Sequence, residues 1–180
     1  MQQNKRLITI SMLSAIGFVL TFLKFPLPFF PPYLTLDFSD VPTLLATFSM
    51  GPIAGIIVAF IKNLLNFFFN MGDPVGPVAN FLAGISFLLT AYYVNKRGHV
   101  ANKAMITALV MATLVMTIVL SILNYFVLLP LYGMIFNLAD IVKNIKIIIV
   151  SGIIPFNIIK GAIISIIFIL LYRRIKSVLK

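Results

Sequence analysis

The sequence predicts an all-α integral membrane protein with six transmembrane helices and a long loop between the first two. Hydrophobic residues make up 61% of the 180 residues, whereas a soluble domain is nearer about 45–50% apolar. They form long runs, and roughly 20 consecutive apolar residues suffice to cross a bilayer as a helix. Between positions 25 and 41, prolines interrupt this pattern and predict a loop.

The apolar runs and their breaks place the helices in a single membrane domain covering residues 1–180. The predicted bounds are about 7–23, 42–50, 52–69, 78–94, 104–129 and 147–172. Proline, glycine and basic stretches separate these runs, as expected of turns and loops. The second helix is short for a full crossing, and the Gly51-Pro52 turn joins it to the third.

Small residues line one side of the first helix. Ser11 and Ala15 stand one turn apart, and such a small-xxx-small pair lets another helix approach closely. We therefore consider this pair a candidate docking face for a partner protein. Ordinary packing within the chain is the alternative, with equal weight.

The segment Phe25–Val41 differs from a simple surface linker. It holds four prolines, four phenylalanines and a tyrosine, and its residues 34–38 alternate as a short strand would. Long apolar loops in compact proteins are usually functional. We interpret the segment as a lid over a pocket mouth, with Tyr33, Leu36 and Phe38 available to a flat ligand. A loop lying among lipid headgroups is the alternative.

The last helix carries an unusual polar face. Asn157 and Lys160 lie three residues apart on one side, and a lysine at membrane depth costs about 2.5–3.5 kcal/mol. Pro155 frees a backbone carbonyl, which is tolerated only beside protein or a water-lined cavity. This face is therefore expected to line a pocket. The alternatives are that Lys160 snorkels to the interface and that Asn157 only bonds a neighbouring helix.

The distribution of basic residues predicts the orientation. Six crossings put both termini on one side, together with most of the basic residues, namely Lys5, Arg6, Lys96, Arg97, Lys103, Arg173, Arg174, Lys176 and Lys180. The other side holds Lys24, Lys143 and Lys146. By the positive-inside rule both termini are cytoplasmic, so the chain is a multi-pass protein of the cell membrane.

This topology brings the polar residues together on the outer side. The lid is outside, Asp40 lies where it meets the second helix, and Asn80 begins the fourth helix. Asn124, with Tyr125 beside it, lies near the outer end of the fifth helix, and the polar face of the last helix falls in its outer half. These residues are expected to form one outward-opening site.

The residues of this site favour binding over catalysis. Asparagine offers a donor and an acceptor to the imide-like edge of a heterocycle, and aromatic side chains pack against a flat ring. The sequence has no acidic pair, Ser–His arrangement, zinc motif or phosphate loop at a suitable position. We therefore expect that the protein is not an enzyme and that it binds no metal, no resident cofactor and no nucleic acid. The expected ligand is flat, largely neutral and partly apolar.

The order and spacing of five motifs resemble those of the substrate-binding S components of energy-coupling factor (ECF) vitamin transporters, most closely the riboflavin-specific members. The motifs are Ser11–Ala15, Leu36–Pro42, Gly51–Gly55, Asn80–Gly84 and Pro155–Lys160. The resemblance implies a six-helix fold and one vitamin held at an outward site, with riboflavin bound by Asn124, Asn157 and Lys160. It also implies a transmembrane coupling protein and two ATP-binding subunits as partners. The family usually carries Ala-xxx-Ala in its first helix, where this chain has Ser11.

Three other ligands or activities remain open from the residues. Thiamine is a cation that would need acids and an aromatic cage, and Lys160 disfavours it. Biotin carries a carboxylate that Lys160 could hold. An ion or proton pathway needs acids or histidine in mid-membrane, whereas the four acids fall in loops or at helix ends.

Overall fold

The computed structural model describes residues 2–28, 30–31, 34–70, 72–96, 102–136 and 143–175. The described helices are α1 (Gln2–Leu20), α2 (Asp40–Met50), α3 (Pro52–Phe69), α4 (Val75–Lys96), α5 (Asn102–Leu123), α6 (Leu129–Ile135), α7 (Ile145–Ile148) and α8 (Ile154–Ile175). Two π-helical segments, π1 (Asn124–Leu128) and π2 (Ile149–Ile153), join α5 to α6 and α7 to α8. The predicted all-α class is therefore confirmed.

Four of the described helical segments are long and apolar enough to cross a membrane. They are Pro52–Phe69, Val75–Asn95, Lys103–Ile135 and Ile145–Arg174. Helix α2 has 11 residues, about half of what a crossing needs. Helix α1 has 19 residues but begins with the polar run 2–6. The structure thus supports a multi-pass membrane protein, and the number of six crossings stays a prediction.

The prediction that the fifth helix ends at position 129 is wrong. The helix continues through Pro130 to Ile135. A proline inside an α-helix lacks an N–H and clashes with the carbonyl four residues earlier. The π turn of π1 ends at Leu128, two residues before Pro130, and its wider i→i+5 spacing leaves room for the proline ring. In the same way π2 precedes Pro155, and a hydrophobic period of 3.6 residues does not reveal either segment.

The ends of the other helices also differ from prediction. Helix α1 spans Gln2–Leu20 rather than 7–23, because hydropathy marks only the apolar part and the helix continues through the polar residues before it. Helix α4 begins at Val75, where Asp73 Oδ1 accepts hydrogen bonds from the N–H groups of Val75 and Gly76. A carboxylate at this position satisfies N–H groups that lack a helical partner.

The loop between α1 and α2 folds back on itself. Strand β1 (Phe25–Pro26) pairs antiparallel with strand β2 (Thr35–Leu36), with Phe25 opposite Leu36. The strand expected at 34–38 is therefore present over two residues. Phe30 lies edge-on to Phe156, with ring centroids 5.9 Å apart. The loop thus contacts the last long helix across the end of the bundle.

Helix α2 lies inside the helix bundle despite its length. Its first eight residues, Asp40–Thr47, are buried, and it packs against α1, α3, α4 and α8. The main apolar cluster surrounds it and includes Leu44, Leu88, Met116 and Phe168. Large apolar side chains on the outer helices are exposed, as lipid-facing residues are. Helix α2 therefore carries its first residue, Asp40, into the interior.

Two contacts show that the two ends of the described chain lie on the same side of the bundle. Arg6 Nη2 donates to the carbonyl of Met50 at 3.1 Å, and the Tyr172 hydroxyl donates to the carbonyl of Phe48 at 3.5 Å. The start of α1 and the end of α8 therefore both lie beside the C-terminal end of α2. The loop between α1 and α2 lies at the opposite end.

Candidate ligand-binding site

A cavity of about 100 Å³ lies at the loop end of the bundle. Its walls are formed by residues from the loop between α1 and α2, the connection between α3 and α4, and the helical segments α3, α4, α5, π1, α6, π2 and α8. Its polar lining consists of Lys24, Thr35, Asp37, Asn66, Asp73, Asn80, Asn124, Tyr132, Asn157 and Lys160, and its apolar lining includes Leu34, Ile153 and Phe156. Buried amides, carboxylates and an ammonium group thus share one small space.

Two buried asparagines present their amides in the same way. Asn124 Nδ2 donates to the carbonyl of Leu120, and Asn157 Nδ2 donates to the carbonyl of Ile153, each at 2.8 Å. Both bonds are to the residue four positions earlier, so each helix holds the amide nitrogen in place. The amide oxygen is then available as an acceptor for a ligand N–H group.

Asp40 joins two buried lysines at the base of the site. Its Oδ1 lies 2.6 Å from Lys62 Nζ, and its Oδ2 lies 3.4 Å from Lys160 Nζ. Lys62 also donates to the Ser39 hydroxyl. All three charged residues are at most 4% exposed, and buried charges of this kind are stable only when paired. Asp40 therefore fixes the position of Lys160.

Asp37 completes the charge balance from the loop. Its Oδ1 accepts from the Ser39 N–H at 2.8 Å, and its Oδ2 accepts from Asn80 Nδ2 at 3.0 Å. Burial alone would raise the pKa of this carboxyl, but the charges of Lys160 and Lys62 and the hydrogen bonds from Ser39 lower the pKa to about 2. Asn80 Oδ1 in turn accepts from Lys160. Two carboxylates and two ammonium groups thus form a neutral network.

The structure brings most of the predicted site residues to this cavity. Asn80, Asn124, Asn157 and Lys160 line it directly, and Asp40 contacts it through Lys160. Leu36 is buried beside it without lining it, and Phe38 packs against the main apolar cluster. Tyr33 lies outside the described residues.

Tyr125 does not reach the cavity. It is 39% exposed and packs edge-on against Phe126, with ring centroids 4.8 Å apart. Consecutive helical residues point in different directions around the helix axis. Because Asn124 faces inward, Tyr125 turns toward the outer surface.

The sequence interpretation missed several residues of the site. Lys62 on α3 is fully buried and paired with Asp40, an ion pair that the sequence does not indicate. Asp37 belongs to the predicted outward loop, and this loop folds inward and buries it. Asn66 on α3 also lines the cavity, although no motif of the sequence singles it out. The i, i+4 spacing of Lys62 and Asn66 places both on one face of an apolar helix and is the sequence feature that indicates a polar contact there.

The predicted docking residues lie on the outer face of α1. Ser11 and Ala15 are exposed, whereas Leu13, Ser14 and Gly17 on the opposite face are buried against the bundle. Within the described chain, Ser11 and Ala15 are therefore not covered by another helix, as the alternative of ordinary packing would require. In the described part of the chain, no group of three acidic or histidine side chains lies close enough to hold a metal ion.

Comparisons with known proteins agree with this architecture. Residues 5–172 match the family model of the ECF transporter, substrate-specific component. The chain is 78% identical to the riboflavin transporter RibU of Staphylococcus aureus, over 100% of this chain and 95% of that protein. It is 44% identical to the riboflavin transporter FmnP of Bacillus subtilis, over 96% of this chain and 92% of that protein.

A solved structure is also similar. It is described as the S component of a bacterial ECF transporter, and it matches with a TM-score of 0.86 and 72% identity over 99% of both chains. The family match and both relatives cover nearly the whole chain, so no large part of the fold is left unaccounted for. The chain therefore belongs to the family of substrate-specific components of ECF transporters.

Proposed function

We propose that this chain is the high-affinity riboflavin-binding membrane subunit of an ATP-driven ECF-type vitamin importer. The observation that carries the proposal is its 78% identity, over the full chain, to a riboflavin transporter. The cavity supports it, because buried amides and an ammonium group line it together with aromatic and aliphatic side chains. A flat heterocycle with a polar edge has the matching chemistry.

The ring edge of riboflavin fits the polar wall formed by π1 and α8. Its single ring N–H would donate to the amide oxygen of Asn124 or Asn157, and Lys160 would donate to a ring carbonyl. Phe156, which is 5% exposed and lines the cavity, would pack against the ring. Hydrogen bonds to groups buried in this way contribute more when formed than surface bonds do.

The charge network favours a neutral ligand over the two other vitamins. Lys160 already lies 3.4 Å from Asp40, so the carboxylate of biotin would approach an ammonium whose charge is balanced. A thiamine cation would meet Lys160 without a free carboxylate. An ion or proton pathway is disfavoured for the same reason, because Asp37 and Asp40 are already held by hydrogen bonds and ion pairs.

The loop between α1 and α2 would act as the lid. A volume of about 100 Å³ is below the roughly 300 Å³ at which ligand pockets begin, so riboflavin requires the cavity to widen. Two loop residues contact the last helical segments. Leu34 packs against Ile149 and Ile153 of π2, and Phe30 lies edge-on to Phe156 of α8. Separation of these contacts would open the mouth, and their return would cover the ligand.

The remaining parts of the importer would be supplied by partners. The exposed pair Ser11 and Ala15 gives a transmembrane coupling protein a face for close approach. Two ATP-binding subunits would supply the energy. The proposal includes six crossings, with both termini cytoplasmic in the cell membrane, since Lys5 and Arg6 begin α1 at the same end as Arg173 and Arg174.

Single substitutions test the ligand contacts. Asn157→Ala and Lys160→Ala should each weaken riboflavin binding by about 1–3 kcal/mol, because a buried ligand group loses its partner. Quenching of flavin fluorescence by the purified protein measures this. Asn95→Ala removes an amide of the same kind at the far end of α4 and should leave affinity unchanged. Wild-type affinity in both site variants, with the protein folded, would remove these residues from the site.

A further inference from the structure

Asn66 has a buried side chain that lacks a hydrogen-bond partner. It lies on α3, lines the cavity and is 3% exposed. Its side-chain oxygen is buried and accepts no hydrogen bond from the described residues. Leaving such an atom unpaired is unfavourable, and buried polar groups without a partner are rare in folded proteins. The position therefore suits a group supplied from outside the chain.

Apart from the amide oxygens of Asn124 and Asn157, the side-chain acceptors Asp37, Asp73 and Asn80 of the cavity already have donors. Asp73 accepts from the Tyr132 hydroxyl at 2.9 Å and from two backbone N–H groups of α4. Asp37 accepts from Ser39 and Asn80, and Asn80 accepts from Lys160. Because an amide oxygen only accepts hydrogen bonds, a ligand group that meets Asn66 Oδ1 must be a donor.

The position of Asn66 indicates which part of the ligand it meets. Helix α3 packs against α1, α2 and α4, whereas α5 and α8 pack against each other. Asn66 thus belongs to a different wall of the cavity from Asn124 and Asn157. The flavin ring has one N–H on its polar edge, and in the proposed binding mode that group donates to Asn124 or Asn157. The remaining donors of riboflavin are the hydroxyls of its ribityl chain.

We propose that Asn66 accepts a hydrogen bond from a ribityl hydroxyl and so selects flavins that carry the polyhydroxyl chain. This inference rests on the proposed riboflavin-binding function. It assigns the specificity for the chain to α3 and leaves recognition of the ring to π1 and α8.

Asn63 provides a matched control one turn earlier on the same helix. It is 4% exposed, and its side-chain oxygen also lacks a partner among the described residues. Its Nδ2 donates to the carbonyl of Ala59 at 2.8 Å, and it does not line the cavity. A merely structural amide at position 66 would behave like Asn63.

Two flavins and two variants separate the roles. Riboflavin and lumiflavin, which has the same ring with a methyl group in place of the hydroxyl chain, are titrated into wild-type protein, Asn66→Ala and Asn63→Ala. Asn66→Ala should weaken riboflavin about tenfold, as expected for one lost hydrogen bond, and should leave lumiflavin within about twofold. Asn63→Ala should change neither. The thermal midpoint of the ligand-free protein should not fall in Asn66→Ala because no internal hydrogen bond of Oδ1 is lost, whereas Asn63→Ala also loses the bond from Nδ2 to Ala59 and can lower the midpoint without changing flavin affinity.

Three results would overturn the assignment. They are an equal loss for both flavins in Asn66→Ala, an equal loss of riboflavin in Asn63→Ala, and wild-type riboflavin affinity in Asn66→Ala. If Asn66→Ala does not fold, Asn66→Ser carries the same expectation, because its shorter side chain withdraws the acceptor. Failure of wild-type protein to bind either flavin would instead overturn the proposed function, and this inference with it.

Discussion

Removal of the Lys62 charge should destabilise the protein, although Lys62 does not line the cavity. Lys62 is fully buried and lies 2.6 Å from Asp40 and within hydrogen-bond distance of Ser39. In Lys62→Met the aliphatic stem is retained and the ammonium is lost. The network then keeps two carboxylates, Asp37 and Asp40, against one ammonium, Lys160.

The expected cost follows from the geometry of the pair. Breaking a buried ion pair by removing one partner costs about 3–5 kcal/mol. Asp40 still has Lys160 at 3.4 Å, so we expect the lower end, about 3 kcal/mol. For a chain of this size each kcal/mol shifts the thermal midpoint by about 2–4 °C, which gives a decrease of about 6–12 °C. Riboflavin affinity should also fall, because Asp40 would hold Lys160 more closely.

Thermal unfolding in detergent, followed by circular dichroism, measures the decrease. The double variant Lys62→Met, Asp40→Asn restores the neutrality of the network and should be more stable than Lys62→Met alone, since a buried pair can often be replaced without loss. Lys103→Met removes an exposed lysine and should change the midpoint little. A wild-type midpoint in Lys62→Met, or a double variant less stable than the single one, would refute the reasoning.

Three further predictions concern the loop and the partner. The pKa of Asp37 is lowered from 3.8 to about 2, so its carboxylate should stabilise the fold fully above pH 3.8 and lose this effect as the pH falls toward 2. Riboflavin affinity should therefore show no change that depends on Asp37 between about pH 5 and 8. A loss of affinity in this range that disappears in Asp37→Asn would contradict this prediction. Binding of riboflavin should slow hydrogen exchange of the backbone amides in the paired strands β1 and β2. Equal exchange with and without riboflavin would indicate a static loop. Replacement of Ser11 and Ala15 by Trp should preserve riboflavin binding and abolish ATP-dependent uptake in vesicles with the partner subunits; wild-type uptake would show that docking lies elsewhere.

Much of the fold could be predicted because it depends on local sequence. The four long apolar segments and the Gly51-Pro52 turn follow from hydropathy and from residues that break helices. The convergence of Asn124, Asn157 and Lys160 on one cavity also followed, since the alternation of crossings brings the outer halves of the helices together. These features require no knowledge of which side chains touch.

The interior network could not be predicted because it depends on contacts between distant residues. Lys62 and Asp40 lie 22 positions apart, and nothing in the periodicity of either helix indicates their pairing. The sequence places Asp37 in an exposed loop, whereas in the structure it is buried directly after β2 and bonded to Ser39 and Asn80. The π segments escaped for another reason, since a single wider turn leaves the pattern of apolar residues almost unchanged.

Titration of the purified wild-type protein with riboflavin, biotin and thiamine tests the central claim most directly. Isothermal calorimetry on detergent-solubilised protein applies to all three vitamins, and flavin fluorescence gives an independent signal for the first. We predict saturable binding of riboflavin at one molecule per chain, lost stepwise in Asn157→Ala and Lys160→Ala, and no binding of biotin or thiamine. Binding of biotin or thiamine without riboflavin would contradict the account.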